Sequence, residues 1–383
     1  MTSQGFSVFF TTLVKQLMVS GGRHWWLSFL MWIVLVGPAQ AAYELRIAIK
    51  DGVGEVGVGS STPAVIKNEA GEKIGEIGPM NSLVAVSGEN GVNLNGYEAG
   101  HIWVEPTGDG VVWIGDRWYR GDTQLVSNGN ELIAINHVDI EDYLYSVVGA
   151  EMYASWPQEA LKSQAVSART YALYKSYKSN SKLYDLDTTT ATQVYKGLNS
   201  ETNTTVQAVN ATRSQVLTYK GEPILAVFHA SSGGHTENVE DIWSNPLPYL
   251  RGVVDYDKDA PVYQWAKSFS TEQMSGLIGG VGTISSMKPI KVTPQGRIVT
   301  MEVVGDEGTK EVSGAQLRKV LGLRSTLFSI SATGDGFQVS GRGFGHGVGL
   351  SQWGAKNLAQ QGVQYHQILG HYYQGTSISL LEE

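Results

Sequence analysis

No cysteine occurs anywhere in the 383 residues. That absence excludes disulfides and thiol nucleophiles, and it removes the commonest ligands of structural zinc. Charge is also scarce: 17% of residues are Asp, Glu, Lys or Arg, with a net of −8, against the usual quarter. No long Lys/Arg run is present, so the electrostatic footprint of a nucleic-acid binder is missing. Nor is there a G-x-x-x-x-G-K-[ST] phosphate loop, an H-E-x-x-H zinc helix or a G-x-S-x-G nucleophile elbow. Nucleotide hydrolysis, zinc peptidase chemistry and Ser-His-Asp hydrolysis therefore lack their usual residues.

Long apolar runs are absent too, save one. Lys15, Arg23 and His24 precede Trp25 to Val36, Gly37-Pro38 breaks the run, and Ala39-Gln40-Ala41 offers small residues before Ala42. This is the order of a secretory signal peptide over residues 1–41. The run is shorter than the ~20 residues a membrane-spanning helix needs. The expectation is an exported protein of the periplasm or cell envelope that meets the membrane only during export. Without Lys15 and Arg23 it becomes two charges more negative, so an anionic ligand requires cations gathered locally.

What is abundant is glycine, at 46 residues. From Tyr43 to about Val126, short apolar alternations such as Leu45-Arg46-Ile47-Ala48-Ile49 and Ser82-Leu83-Val84-Ala85-Val86 sit between glycines and asparagines. Period two between turn residues predicts strands and hairpins, a β-rich N-terminal module over 42–127. The remainder, 128–383, reads as a mixed core. Ile140, Tyr143, Leu144, Val147 and Val148 make the stripe of an amphipathic helix, with Asp139 as N-cap and Glu141 and Asp142 at its positive end. The stripe stops at Gly149, which puts Glu151 at the helix exit. Pro157 suits the start of a second helix whose buried stripe is Leu161, Ala165, Ala168 and Ala172. Shorter alternations over about 267–325, with a small helix at 314–321, read as an insertion in the core. The fold class expected is α+β.

Three long stretches carry the chemistry. The first runs from Glu141 through Gly149-Ala150-Glu151-Met152 to Trp156-Pro157 and on to Ala168-Arg169-Thr170-Tyr171. The second is Phe228-His229-Ala230-Ser231-Ser232-Gly233-Gly234-His235-Thr236-Glu237-Asn238. The third is Gly343-Phe344-Gly345-His346-Gly347-Val348-Gly349-Leu350-Ser351-Gln352-Trp353-Gly354, where glycine alternates around one histidine before a helix begins. Glycines so dense mark a backbone that something approaches closely. In this order the stretches resemble the SpoIID/LytB family of bacterial cell-wall proteins, over roughly residues 130 to 380.

The resemblance implies a SpoIID-like core with a glycan-binding cleft. It implies lytic transglycosylase activity on peptidoglycan glycan strands, with Glu151 as the catalytic acid. One carboxyl suffices when the sugar's own C6 hydroxyl closes a 1,6-anhydro ring, whereas ordinary glycosidases need two. Such an acid needs its pKa raised by burial. Members commonly read Glu-Met-Pro where this chain has Glu151-Met152-Tyr153. Lys162, Arg169, Gln193, Tyr195, His229, Ser231, Ser232, His346 and Gln352 are the candidate substrate-binding residues. Of these, Arg169 and Lys162 are expected to hold a carboxylate of the glycan or its peptide, and Tyr195, Trp243 and Trp353 to offer stacking faces. Some relatives bind zinc through Cys just before a Gln-x-Tyr motif. Here that stretch, Asp185 to Thr192 before Gln193-Val194-Tyr195, holds no thiol, so neither metal nor cofactor is expected of His229, His235 and His346. The alternative is a non-catalytic glycan binder that stimulates a cell-wall amidase, which would then be its partner.

Overall fold

The computed structural model describes residues 43–88, 91–188, 192–243 and 245–381. The signal segment expected at 1–41 lies outside the described residues. The fold is α+β: eight α-helices and several separate sheets occur among the described residues.

The N-terminal strands form two sheets. One has seven strands in the order Leu186–Asp187, Glu44–Val53, Glu131–Asp139, Asp122–Asn128, His101–Pro106, Ala64–Lys67 and Lys73–Ile77. The other has six, from Arg117–Tyr119 through Glu55–Ser60 to Tyr97–Ala99. Alternation decides which side chains go inside: in Glu44–Val53, Leu45 and Ile47 are buried while Glu44 and Arg46 face outward. Glu131–Asp139 pairs with both Glu44–Val53 and Asp122–Asn128, so one sheet continues across residues 127–128. One apolar cluster follows it, from Leu45 through Leu144 and Ala165 to Tyr373.

The helices are α1 (Ile140–Glu151), α2 (Gln158–Lys178), α3 (Asn203–Ala211), α4 (Val239–Ile242), α5 (Thr271–Ile278), α6 (Gly314–Val320), α7 (Gln352–Gln360) and α8 (Tyr365–Tyr372). The Asp139 side chain caps α1 by accepting from the Glu141 and Asp142 amides, and the whole predicted stripe is buried. Pro157 occupies the cap position of α2. That helix is buried on nearly every side from Ala160 to Leu173 and packs against α1, α3, α7 and α8. Its many Ala and Ser residues let those backbones come close, as a central helix requires.

Residues 264–342 build two three-stranded sheets, Gln264–Ser270/Gly336–Arg342/Phe328–Thr333 and Ile284–Val292/Ile298–Gly305/Gly308–Ser313. With α5 and α6 these enclose a second apolar cluster from Met274 to Val339. Over residues 222–229 only two short strand pieces form, Glu222–Pro223 and Phe228–His229. The second piece matters most. Phe228 pairs with Leu350 and His229 with Ser351 in parallel, and Ser231 bridges Phe344. This short zipper joins the histidine-serine stretch to the glycine stretch.

Candidate active site

Glu151 is the last residue of α1, half-buried where the chain leaves the helix. Met152 follows in extended backbone, φ −128° and ψ 152°. That is the extended conformation that a following proline would also impose, although Tyr153 stands there. Two donors hold the carboxyl: the Val194 amide reaches Oε1 at 3.2 Å, and Gln352 Nε2 reaches Oε2 at 3.3 Å. Burial pushes the Glu151 carboxyl above its ordinary value of 4.5, and these two hydrogen bonds and the Lys196 charge only partly oppose it. A group in that state keeps a proton to give closer to neutral pH than an open carboxyl does.

The cavity beside it measures about 480 Å³, within the range of ligand sites. Its walls include His229, Trp243, Arg318, Phe344, His346 and Gln352 together with Glu151. Among its described lining residues Glu151 is the sole acid. A larger hollow of about 710 Å³ lies at Trp265, Phe328 and Arg342, but no carboxyl lines it, so the smaller cavity is where proton transfer can occur.

The two histidines are 5.1 Å apart, ring centre to ring centre. His346 Nδ1 accepts from the Val348 amide, so its Nε2 carries the proton and donates to the Phe228 carbonyl. Burial and the Arg297 charge hold His346 down at about 4, which leaves it neutral near pH 7. His229 donates from Nδ1 to the Val348 carbonyl and is likewise held well below its ordinary value by burial. Its Nε2 is buried with no hydrogen-bond partner among the described residues. Trp243 stands 5.1 Å from the His346 ring and is 41% exposed, so an aromatic face is open to the cavity.

What approaches the glycine loop is the protein's own interior. Gly347 has φ +82°, and a Cβ there would fall 2.2 Å from Arg297 Nη2. Gly345 has φ +116°, and its Cβ would fall 2.7 Å from His229 Cβ. Arg297 is fully buried, donates to the Ser232 carbonyl at 2.6 Å and faces Glu237 at 3.6 Å.

Several expected ligand-binding residues are instead engaged by partners within the protein, most of them in its interior. Arg169 does not face substrate: it is fully buried, and Glu141 takes its guanidinium through Nε at 2.9 Å and Nη2 at 2.6 Å. Lys162 pairs with Glu159 at 2.7 Å. Gln193 is buried, accepting from the Tyr143 hydroxyl and donating to the Ala168 carbonyl. Tyr195 is no stacking platform, because its ring packs against Tyr119 and Tyr143 and its hydroxyl donates to Asn136. Ser231 donates to Asp257 and Ser232 to Asp255. Trp353 packs edge-on against Trp156 at 4.8 Å. Among the described residues no three His, Asp or Glu side chains gather as a metal would require. His346 has both ring nitrogens taken by backbone groups, so the three histidines do not fit a zinc site.

Sequence reasoning missed Arg297, Asp255, Asp257 and Arg318. Glu237 lies inside the quoted second stretch, but nothing in its spacing marks it as the counter-charge of an arginine sixty residues on.

A carboxyl whose proton affinity burial raises thus sits at the end of a buried helix and faces an aromatic-walled cleft. The comparisons then place the chain. The stage II sporulation protein family (SpoIID) matches residues 128–219, and a domain of unknown function matches 256–349. An uncharacterised protein of Brachyspira hyodysenteriae is 32% identical over 327 residues, covering 83% of this chain and 82% of that protein. Stage II sporulation protein D of Bacillus subtilis is 36% identical over 265 residues, 64% of this chain and 76% of that one. The amidase enhancer of Bacillus subtilis is 31% identical over 291 residues, 62% of this chain but 40% of that protein. The chain belongs to the SpoIID/LytB family.

Proposed function

We propose that the protein is a peptidoglycan lytic transglycosylase that works outside the cytoplasm and cuts the bond between N-acetylmuramic acid and N-acetylglucosamine. The observation that carries this reading is that Glu151 is the sole carboxyl among the described residues lining the cleft. Hydrolysis needs a second one to activate water or to attack the sugar. Intramolecular closure does not.

In this mechanism the protonated Glu151 gives its proton to the glycosidic oxygen as the C1–O bond breaks. The sugar's C6 hydroxyl attacks C1, and its proton returns to the Glu151 carboxylate. The acid is thus regenerated, no water is consumed, and the product ends in a 1,6-anhydro ring. The Val194 amide and Gln352 hold the carboxyl in place for both halves. Neutral His229 and His346 keep cationic charge off that wall of the cleft, so they do not pull the Glu151 proton off early. Trp243 offers a face for a sugar ring.

Incubating purified glycan strands with the protein and analysing the fragments by mass spectrometry tests the reading. Anhydro ends are expected, with and without chelator. Glu151→Gln should reduce their release by roughly 10²–10⁴-fold, as loss of a general acid does. Reducing ends would refute the mechanism. The similarity to the amidase enhancer supports a second reading, a glycan binder that stimulates an amidase. Wild type and Glu151→Gln stimulating an amidase equally, with no sugar cleaved by either, would establish that one instead.

A further inference from the structure

The hollow of about 710 Å³ lies wholly within the part of the chain that matches a domain of unknown function. Trp265, in the strand Gln264–Ser270, stands directly across from Gly341 in Gly336–Arg342. Phe328 flanks Gly341 from the other side. The missing side chain at Gly341 makes the room: a Cβ there would fall 2.2 Å from Trp265 Cζ2, so the indole lies against bare backbone. Its Nε1 donates to the Gly343 carbonyl at 2.9 Å, which fixes the orientation of the ring. A glycine inside a strand weakens it and often marks a place of close approach. Here it seats an aromatic ring that is only half-buried and lines the hollow. Around that ring Gln264, Gln295, Ser329 and Ser340 bring exposed amides and hydroxyls. An aromatic face for the C–H bonds of a sugar, with amides and hydroxyls for its oxygens, is the chemistry of a carbohydrate site. Its described lining residues include no acid, so it can hold a glycan but not cut one.

The position of the hollow says which carbohydrate. Arg342 lines it, Phe344 lines the Glu151 cavity, and Gly343 alone separates them along the chain. Two residues of extended backbone span at most about 7 Å, so on this wall the two sites lie less than a disaccharide apart. Phe344 is 42% exposed, and aromatic faces stand in both places, Trp243 and Phe344 in the cavity and Trp265 in the hollow. We propose that the Trp265 hollow is a second glycan-binding subsite, which grips the same strand beyond the sugars held beside Glu151. This rests on the substrate assigned above. Region 264–342 thereby contributes the hold on a long strand, while α1 contributes the acid.

The test is calorimetric binding to Glu151→Gln protein, which keeps the glycan uncut. Two ligands are compared: the disaccharide of N-acetylglucosamine and N-acetylmuramic acid, which the cavity holds alone, and a strand of six such disaccharides. With Trp265 intact the strand should bind roughly a hundredfold more tightly or better, as a linked second site gives, against the roughly sixfold that six equivalent registers supply. Trp265→Ala and, separately, Ser340→Glu should reduce the preference to the register level while leaving disaccharide affinity unchanged. Ser340 is exposed on its strand, so the glutamate fills the hollow with an anion without entering the core, and this variant decides the matter where Trp265→Ala does not fold. A preference no larger than the register level with Trp265 intact would overturn the proposal. So would a larger preference that survives Ser340→Glu. Loss of disaccharide binding together with strand binding would also overturn it, because Trp265 would then only brace the glycine loop. A strand preference lost in the variants, together with no anhydro product from wild type, would refute the lyase reading and leave this one standing.

Discussion

Glu141 and Glu151 sit at opposite ends of the same helix, and their surroundings could hardly differ more. Glu141 is buried at the start of α1, where the fully buried Arg169 grips both its oxygens and the Ser214 amide donates to Oε1. Three hydrogen bonds, two of them from a guanidinium, hold this carboxyl in place. Glu151, at the exit, has two neutral donors and, among the described residues, no ion pair, and burial pushes its proton affinity up. A paired buried carboxylate is a fastener. An unpaired, half-buried one facing a cavity is available for proton transfer. The arginines repeat the contrast, with Arg169 the fastener and Arg318, half-buried at the cleft, without an acid partner among the described residues.

The comparison is broken most directly at Glu141. Glu141→Gln strands the Arg169 charge in the interior and should lower stability by about 3–5 kcal/mol, read as a drop in the urea midpoint. A loss under about 1 kcal/mol, the range of exposed pairs, would mean the pair is solvated after all. Next in size is Gly347→Val. A β-branched residue at positive φ, driven onto Arg297, should cost about 1–3 kcal/mol and weaken glycan binding in the folded fraction. Unchanged stability would show that the loop is free of Arg297.

The smallest effect sharpens the other end of the helix. The Glu151 carboxyl binds its proton more tightly in the folded chain than at the ordinary 4.5. Wild type therefore loses stability as pH rises above 4.5 toward the raised native value, because the folded state then holds the proton that the unfolded state has released. Glu151→Gln lacks this penalty. At pH 7 the variant should be as stable as wild type or slightly more so, and the difference should vanish below 4.5. Paired urea denaturations at pH 4 and pH 7 check it. A variant less stable at pH 7 would make Glu151 a structural acid like Glu141.

By itself the sequence determined the local elements of this chain. The apolar stripe and Asp139 cap set α1, Pro157 and the small residues set α2, and Ser351 sets the start of α7. Those signals lie within a few residues of what they control. They also placed Glu151 at a helix exit and His346 in a glycine loop. Tertiary structure alone decided which polar groups find each other. Gln352 meets Glu151 across 201 residues of chain, and Arg169 meets Glu141 across 28. Gln193 and Tyr195 turn inward because Tyr143, Ala168 and Asn136 wait there to bond them. Arg318 enters the cleft only because region 264–342 folds beside α1 and the zipper of Phe228–His229 with Leu350–Ser351. Helix propensity and capping are short-range and legible along the chain, whereas the burial and pairing of a charge depend on residues that only the folded backbone brings together.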